Sequence, residues 1–431
     1  MSITRPMGFR AAAATAGIKP SGKPDLALIV CEPAVPEALR GHGAPIEPRA
    51  ASAAVFTRNA VVGAPVTIGR RWREAYGTGH ARPLRAALIN AGCSNAATGE
   101  PGEQDARTTM HLAALHLGIS PDEVMPSSTG VIGHRLPVGK IEAALPGLVK
   151  ALARGHDADD AAARAIMTTD LVPKQAHREI ELHRHAVHIG AIAKGSGMIA
   201  PRLDSASDTG GSPHGTMLAF ITTDACVNAA CLQLALEHAC RESFNCISVD
   251  AHPSCSDTVL LLSSGAAPVG PIHRDDPEFH GFRAALTALC QDIATKIVRD
   301  GEGATRLFRI EVRGAKSNED AASMARAVVD SPLVKCAIHG RDPNWGRIVT
   351  AAGNAGIAFD PLDASLSIGG VQVYAAGVPT TVGKGDARLA AAMDADPVIC
   401  ELTIGTGPGH AWMLGCDLSA DYVRINADYT T

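Results

Sequence analysis

Residues 194–225, KGSGMIAPRLDSASDTGGSPHGTMLAFITTDA, contain the most informative junction of the chain. A loop rich in Gly and Ser ends at Gly215, and Thr216 separates it from the apolar run Met217–Ile221. A short apolar run that follows turn-forming residues predicts a buried strand. Thr216 is therefore predicted to lie where a loop enters a strand.

A threonine at this junction permits one particular chemistry. If the chain cuts itself between Gly215 and Thr216, Thr216 becomes a new N-terminus, and its α-amine can act as the base for its own hydroxyl. An α-amino group has a reference pKa of about 7.7–8.0, so a large share of it is neutral near pH 7. Position alone leaves an alternative, because threonine is also an ordinary strand-forming residue.

Length and composition limit the classes of protein to consider. The 431 residues are 46% hydrophobic, 19% charged and 3% aromatic, which is typical of a globular chain with two or more domains. The net charge is −5 and no long basic run occurs, so a nucleic-acid partner is not expected. No apolar stretch approaches the roughly 18 residues of a membrane span, and no secretory signal is apparent at the start. A cytoplasmic location is expected.

Cysteine and histidine patterns do not indicate a metal site. The 11 cysteines are odd in number and include no C-x-x-C pair, so buried reduced thiols are expected. Four histidines between residues 177 and 188 fit no standard zinc spacing, which favours a solvated charged segment.

Apolar patterns predict alternating strands and helices. Strands are predicted at 26–30, 54–57 and 87–89, and helices at 103–117, 139–153 and 277–299. Asp224 is predicted to cap a helix that runs to about Cys240, and Ser317 to cap a helix over 321–329. The pattern restarts after residue 303 with apolar runs at 307–312, 333–338 and 366–373, which predicts a domain boundary near residue 300.

Motifs distributed over almost the whole chain resemble the signatures of the ornithine acetyltransferases, also called glutamate N-acetyltransferases. The motifs occur in the family's order, and they lie at 8–11, 90–99, 127–133, 167–170, 194–201, 216–225, 340–347 and 421–431. Relative to that family, residues 36–49 and 204–214 look like inserted surface loops. Each string alone is a weak signal, whereas the ordered set is specific.

The resemblance implies an α/β fold, a layered αββα-type sandwich with a smaller C-terminal α/β domain. It implies a catalytic domain over 1–300, which contains the cleavage site, and a second domain over 301–431. Self-cleavage would give an α chain of 1–215 and a β chain of 216–431. Two copies of each chain are expected to form a heterotetramer.

The resemblance also implies a role for each matching site residue. Thr216 is the expected nucleophile, and Thr129 with Gly130 would form the oxyanion hole. The expected substrate-binding residues are Thr168, Lys194, Thr216, Glu302, Asn426 and Thr431. Thr169 is a competitor for the role of Thr168.

The implied reaction moves the acetyl group of N2-acetylornithine to glutamate by a ping-pong mechanism through acetyl-Thr216. No cofactor or metal is expected, because acyl transfer needs only a nucleophile, a base and oxyanion donors. Whether acetyl-coenzyme A is a further donor stays open. Two alternatives also stay open: a self-processing hydrolase that uses water as acceptor, and an unprocessed, non-catalytic chain.

Overall fold

The computed structural model describes residues 1–33, 50–203, 217–383 and 385–428. The chain divides into two compact units, Met1–Asn245 with His252–Ile297 and Cys246–Ala251 with Val298–Thr430. The two predicted insertions, 36–49 and 204–214, lie outside the described residues. Within the described part of the chain, every helix is too short or too polar to cross a bilayer.

The first unit contains two β-sheets. The first sheet has the strand order β1 (Phe9–Ala14), β2 (Leu26–Cys31), β4 (Ala86–Cys93), β5 (Val124–Val131). The second sheet has the order β3 (Ala51–Phe56), β10 (Thr258–Ser263), β8 (Leu218–Thr223), β7 (His185–Lys194), β6 (Lys174–Leu182). Neighbouring strands are antiparallel except for the parallel pairs β4–β5 and β8–β10.

In the part of the chain that the structure describes, the α-helices that accompany these sheets are α1 (Ala64–Gly77), α2 (Gly99–Leu117), α3 (Val138–Lys150), α4 (His156–Ala165), α5 (Ala229–Arg241) and α6 (Pro277–Arg299). Helices α2 and α3 contribute to the core on the outer side of the first sheet. Against the second sheet, Gln233 of α5 hydrogen-bonds the backbone of Ala54 in β3, and Lys296 of α6 donates to the Gln175 carbonyl of β6.

The β2 sequence explains why the two sheets stack. Ala27, Ile29 and Cys31 point into the core between the sheets, which also contains Phe56 and Phe220. The alternate residues Leu26, Leu28 and Val30 belong to the core under α2 and α3. Because side chains alternate along a strand, a strand that is apolar at every position must be covered on both faces. The first unit is a helix–sheet–sheet–helix sandwich, which confirms the predicted αββα fold.

The second unit is a smaller α/β structure around one sheet. Its strand order is β14 (Val378–Pro379), β13 (Val371–Ala375), β12 (Ser365–Ile368), β15 (Val398–Thr403), β11 (Leu307–Ala315), β16 (Gly409–Cys416), β9 (Ile247–Ser248). Its helices are α7 (Asn318–Val329), α8 (Pro332–His339), α9 (Trp345–Gly353), α10 (Ala387–Asp394) and α11 (Ala420–Asp428). Strands β11, β12 and β15 share one core with α7, α8 and α9.

One predicted helix cap is confirmed and another is wrong. The Ser317 side chain accepts the Asp320 N–H at the start of α7, as predicted. Asp224 does not cap α5, because Asn228 caps this helix. The Asp224 carboxylate instead accepts the backbone N–H groups of Met7 and His188, at 3.0 and 2.8 Å. Asp224 lies four residues before the actual cap, Asn228, and its carboxylate makes tertiary hydrogen bonds instead.

A β-bulge interrupts the ladder between β4 and β5 at Gly92 and Gly130. Both glycines have positive φ, +106° and +126°. A Cβ on Gly130 would lie 2.5 Å from the Gly92 carbonyl carbon, which is too close for any L side chain. The two glycines therefore let the strands approach each other where β5 ends.

We expect Gly130→Ala to lower the free energy of unfolding by about 3 kcal/mol or more, because it adds a backbone clash to a strained φ. Gly133 is the matched control, since its φ is +84° and an added Cβ would meet no atom within 4 Å. Gly133→Ala should cost only about 1 kcal/mol. Urea unfolding of both variants measures the difference, and equal losses would contradict the importance of the close approach.

Candidate active site

Strand β5 directs alternate polar side chains to opposite faces of the first sheet. Met125 lies in the core between the sheets, so Ser127 and Thr129 face the same way. Ser128 points to the other face, where its hydroxyl donates to Asn90 Oδ1 at 2.6 Å. Thr129 has no exposed surface. The predicted oxyanion-hole residues Thr129 and Gly130 thus stand at the inner end of β5, beside the bulge.

Lys194 is the last residue of β7 and is 1% exposed. Its Nζ donates to Thr129 Oγ1 at 3.2 Å, across the space between the two sheets. In the second sheet, Lys194 pairs with Leu218 of β8. Two residues that are 65 positions apart, and that the sequence assigned to different roles, are therefore in direct contact.

The Asp170 carboxylate lies beside Lys194 and was not among the predicted site residues. Its side chain is fully buried, and it accepts hydrogen bonds from Lys174 Nζ at 2.6 Å and from the Gly195 N–H at 2.7 Å. Burial alone would raise its pKa, but the Lys194 and Lys174 cations and the hydrogen bonds outweigh this effect and lower the pKa to about 2. Asp170 is therefore ionised at neutral pH. Two sequence signals pointed to Asp170, its place at the end of the motif at 167–170 and its spacing of four residues from Lys174, but neither gave it a role.

Thr168 and Thr169 lie in the loop that joins α4 to Asp170, and both are half-buried. The Thr168 N–H donates to Asp170 Oδ2 at 3.0 Å. The predicted substrate contact Thr168 is thus held near Lys194 by a shared carboxylate. This contact fixes the backbone of the loop and does not decide between the two threonine hydroxyls.

Lys19 is a second site-proximal residue that the sequence did not reveal. Its Nζ donates to the carbonyl of Ala165, the last residue of α4, at 3.0 Å, and to the Pro24 carbonyl at 2.7 Å. Burial lowers its pKa to about 8. The Asp25 carboxylate opposes this decrease, and the Lys194 cation adds to it. Its stem passes close to Gly92, at the bulge opposite Gly130.

Asp257 anchors the start of β8 and was also missed. Its carboxylate accepts the Met217 N–H at 2.5 Å and the Ser254 N–H at 3.2 Å. The Met217 nitrogen is covalently bonded to the carbonyl carbon of Thr216. Asp257 therefore fixes the first described residue after the predicted nucleophile.

Glu302 and Asn426 form a separate group in the second unit. Asn426 Nδ2 donates to Glu302 Oε2 at 2.8 Å, so these two predicted substrate-binding residues are brought together. Gly303 has a φ of +67°, and an added Cβ there would meet the Tyr422 backbone nitrogen at 2.5 Å. Burial, with the nearby Asp250 and Glu302 charges, raises the pKa of Tyr422, so its hydroxyl stays protonated.

Gly215, Thr216 and Thr431 lie outside the described residues, so their predicted roles stay predictions. In the described ranges, no group of three or more His, Cys, Asp or Glu side chains is arranged to hold a metal. Two of the four clustered histidines contact each other, with His177 Nε2 and His188 Nδ1 3.3 Å apart. The polar groups that the structure does describe can stabilise an oxyanion and bind charged groups of a small molecule.

Comparisons with known proteins extend the resemblance to the full length. The ArgJ family model matches residues 10–431. The chain is 43% identical to the arginine biosynthesis bifunctional protein ArgJ of Thermosynechococcus vestitus, with 100% of this chain and 98% of that protein covered. It is 41% identical to the protein of the same name from Thermus thermophilus, with 100% of both covered.

Among solved structures, the ornithine acetyltransferase from Mycobacterium tuberculosis complexed with ornithine is 39% identical to this chain. The match covers 47% of this chain and 96% of that chain, with a TM-score of 0.39. The full-length matches to the family model and to these relatives confirm the resemblance found in the sequence. The chain belongs to the ArgJ family.

Proposed function

We propose that this chain is a glutamate N-acetyltransferase of arginine biosynthesis, which moves the acetyl group of N2-acetylornithine to glutamate. The observation that carries the proposal is the buried contact between Lys194 Nζ and Thr129 Oγ1, next to the strand that follows Thr216. Family membership supports the same reaction, since the relatives are named arginine biosynthesis bifunctional proteins. Because these relatives are named bifunctional, the proposal includes acetyl-coenzyme A as a second acetyl donor.

The proposed enzyme first processes itself. Thr216 Oγ attacks the Gly215 carbonyl carbon, the peptide becomes an ester, and water then hydrolyses that ester. The products are an α chain of 1–215 and a β chain of 216–431, which stay associated. Residues 1–300 form the catalytic domain and 301–431 the second domain of this proposal. Two α and two β chains assemble in the cytoplasm.

In the transfer step, the α-amine of Thr216 takes the hydroxyl proton while Oγ attacks the acetyl carbonyl of N2-acetylornithine. Thr129 and Gly130 donate to the oxyanion. Thr129 suits this role because its hydroxyl oxygen already accepts a hydrogen bond from the Lys194 ammonium. That bond polarises the hydroxyl group and makes its O–H a stronger hydrogen-bond donor to the oxyanion. The Thr216 ammonium gives the Thr216 hydroxyl proton to the amine of ornithine as the amide C–N bond breaks. The neutral amine of glutamate then attacks acetyl-Thr216, its proton returns through the α-amine to Thr216 Oγ, and the ester C–O bond breaks to release N-acetylglutamate. The residues themselves supply every proton transfer, so the proposal includes no cofactor.

Substrate recognition in this proposal uses charge. Lys194 pairs with a substrate carboxylate, and Glu302 pairs with an ammonium group of ornithine, oriented by Asn426. Thr168 and the terminal Thr431 complete the substrate contacts. A carboxylate that is 9% exposed and already hydrogen-bonded on one oxygen is well placed to accept a cation on the other.

We expect purified wild-type protein to give two bands on a denaturing gel, and Thr216→Ala to give one. The variant should lose about 10³-fold or more of its acetyl transfer, because it lacks both nucleophile and cleavage. Thr216→Ser retains a hydroxyl and should still be cleaved. Ornithine release is measured with and without glutamate, and release independent of glutamate would identify a hydrolase. A single, active wild-type band would contradict the proposal.

We expect Glu302→Gln to raise the KM for N2-acetylornithine by about tenfold or more, because it removes the charge that faces ornithine. Glu401→Gln, on β15 of the same unit, is the control and should leave the KM unchanged. Steady-state kinetics measures both. An equal KM in wild type and Glu302→Gln would exclude this carboxylate as the ammonium partner.

A further inference from the structure

The Asp170 carboxylate joins the two segments that carry the predicted substrate contacts Thr168 and Lys194. Its Oδ2 accepts the Thr168 N–H at 3.0 Å, and its Oδ1 accepts the Gly195 N–H at 2.7 Å, directly beyond Lys194. Oδ1 also accepts from Lys174 Nζ at 2.6 Å. The side chain has no exposed surface, so these contacts are not exchanged for water.

Both hydrogen-bonded backbone groups belong to irregular chain. Thr168 follows α4, and Gly195 follows the last residue of β7. Such segments lack a ladder or a helix to fix their position, so a buried acceptor that bridges them determines their spacing. Asp170 is placed to set the distance between the Thr168 loop and the Lys194 backbone.

The Lys194 cation also acts electrostatically on Asp170. The Lys194 backbone lies next to the Gly195 N–H that Asp170 accepts, and among the groups that lower the Asp170 pKa the Lys194 cation has the largest effect, ahead of Lys174. The Lys194 side chain is 1% exposed, and a nearby carboxylate offsets the cost of burying an ammonium group. A carboxylate whose pKa is about 2 remains negative throughout any assay near neutral pH.

We infer that Asp170 is a positioning residue for acetyl transfer, which holds Thr168 and Lys194 in register and keeps Lys194 charged for a substrate carboxylate. The inference rests on the proposed function and adds to it a residue that acts through Thr168 and Lys194. It assigns the buried salt bridge a role in substrate binding as well as in folding.

Charged groups from two further parts of the unit act on Asp170 and Lys194. Lys174 lies on β6, and Lys19 lies in the connection between β1 and β2, where Asp25 acts on it in turn. In Asp170→Asn, Lys194 loses this carboxylate and keeps its cationic neighbours. The lost negative charge and the remaining positive charges both disfavour the ammonium form, so we expect the pKa of Lys194 to fall relative to wild type. Substrate capture that needs the ammonium form will then fail at a lower pH.

The experiment measures kcat/KM for N2-acetylornithine from pH 6 to 10 on the full-length, self-processed protein. We expect the alkaline limb of the Asp170→Asn profile to lie about 1–3 pH units below that of wild type. Two bands on a denaturing gel and a cooperative thermal transition establish that the variant is processed and folded. An alkaline limb at the wild-type position overturns the inference.

Two matched variants separate positioning from stability. Asp159 is another fully buried carboxylate of the same unit, which accepts the Ser2 and Thr4 N–H groups, so Asp159→Asn should lower stability without moving the limb. Lys174→Met removes the same salt bridge from its other side and relieves repulsion on Lys194. Its limb should stay in place or move to higher pH.

The inference is overturned if the alkaline limb of Lys174→Met shifts to lower pH. It is also overturned if the alkaline limb of Asp159→Asn shifts to lower pH by as much as that of Asp170→Asn. If Asp170→Asn does not fold, the direction of the Lys174→Met shift decides. Failure of the proposed function is separately visible, because wild-type protein would then show no glutamate-dependent ornithine release. The inference concerns only the differences among variants of an active wild type.

Discussion

The first unit depends on how it accommodates the Lys194 ammonium inside a sandwich of two apolar sheets. Moving an ion out of water costs several kcal/mol unless hydrogen bonds and an opposite charge replace the lost hydration. Thr129 supplies a hydroxyl oxygen at 3.2 Å, and Asp170 supplies the charge. Each of these groups comes from a different segment, so the cation fixes the strand ends and the Thr168 loop to one another. The proposed recognition of substrate and the cohesion of the fold therefore depend on the same few atoms.

The β4–β5 bulge makes this arrangement possible. Regular pairing would continue the ladder through the end of β5, and a side chain at Gly130 would collide with the Gly92 backbone. Two glycines at positive φ let the strands close up while Thr129 keeps its inward direction. Glycine adopts such φ values without steric cost, so the bulge needs no strained residue. The Lys19 stem lies close to Gly92 at the bulge, and the Lys194 contact lies at Thr129.

Local sequence patterns predicted those features that local physics controls. The helix predicted at 277–299 is α6 with the same bounds, the strand predicted at 26–30 is β2, and Ser317 is a cap. The apolar run 333–338 lies in helix α8, which Ser331 caps. Periodicity alone does not separate a short buried helix from a strand in a run of this length.

The site residues also divide into those that sequence motifs indicated and those that depend on tertiary contacts. Thr129, Lys194 and Asn426 were predicted because they lie in motifs that resemble a known family, and Glu302 because it matches an acidic substrate-binding position of that family. Asp170 ends the motif at 167–170 but was given no role, and Lys19 and Asp257 lie outside the motifs. All three have remote partners: Asp170 meets Gly195, Lys19 meets Ala165, and Asp257 meets Met217. No periodicity or spacing encodes a contact between residues that are 25 to 146 positions apart. Such contacts follow from the topology, which only the folded chain supplies.

Two buried cysteines near the described site residues do not compete with a hydroxyl as the nucleophile. Cys93 pairs with Thr129 and Val131 at the bulge, and Cys255 lies in the loop that Asp257 closes. Burial raises the pKa of both thiols, and the Asp105 and Asp257 charges raise them further. Only the thiolate is a strong nucleophile, so these cysteines are inert at neutral pH despite their position. A threonine with its own α-amine needs no such ionisation, because its base is attached to it. Burial that keeps these two thiols protonated therefore does not disfavour an N-terminal threonine as the nucleophile.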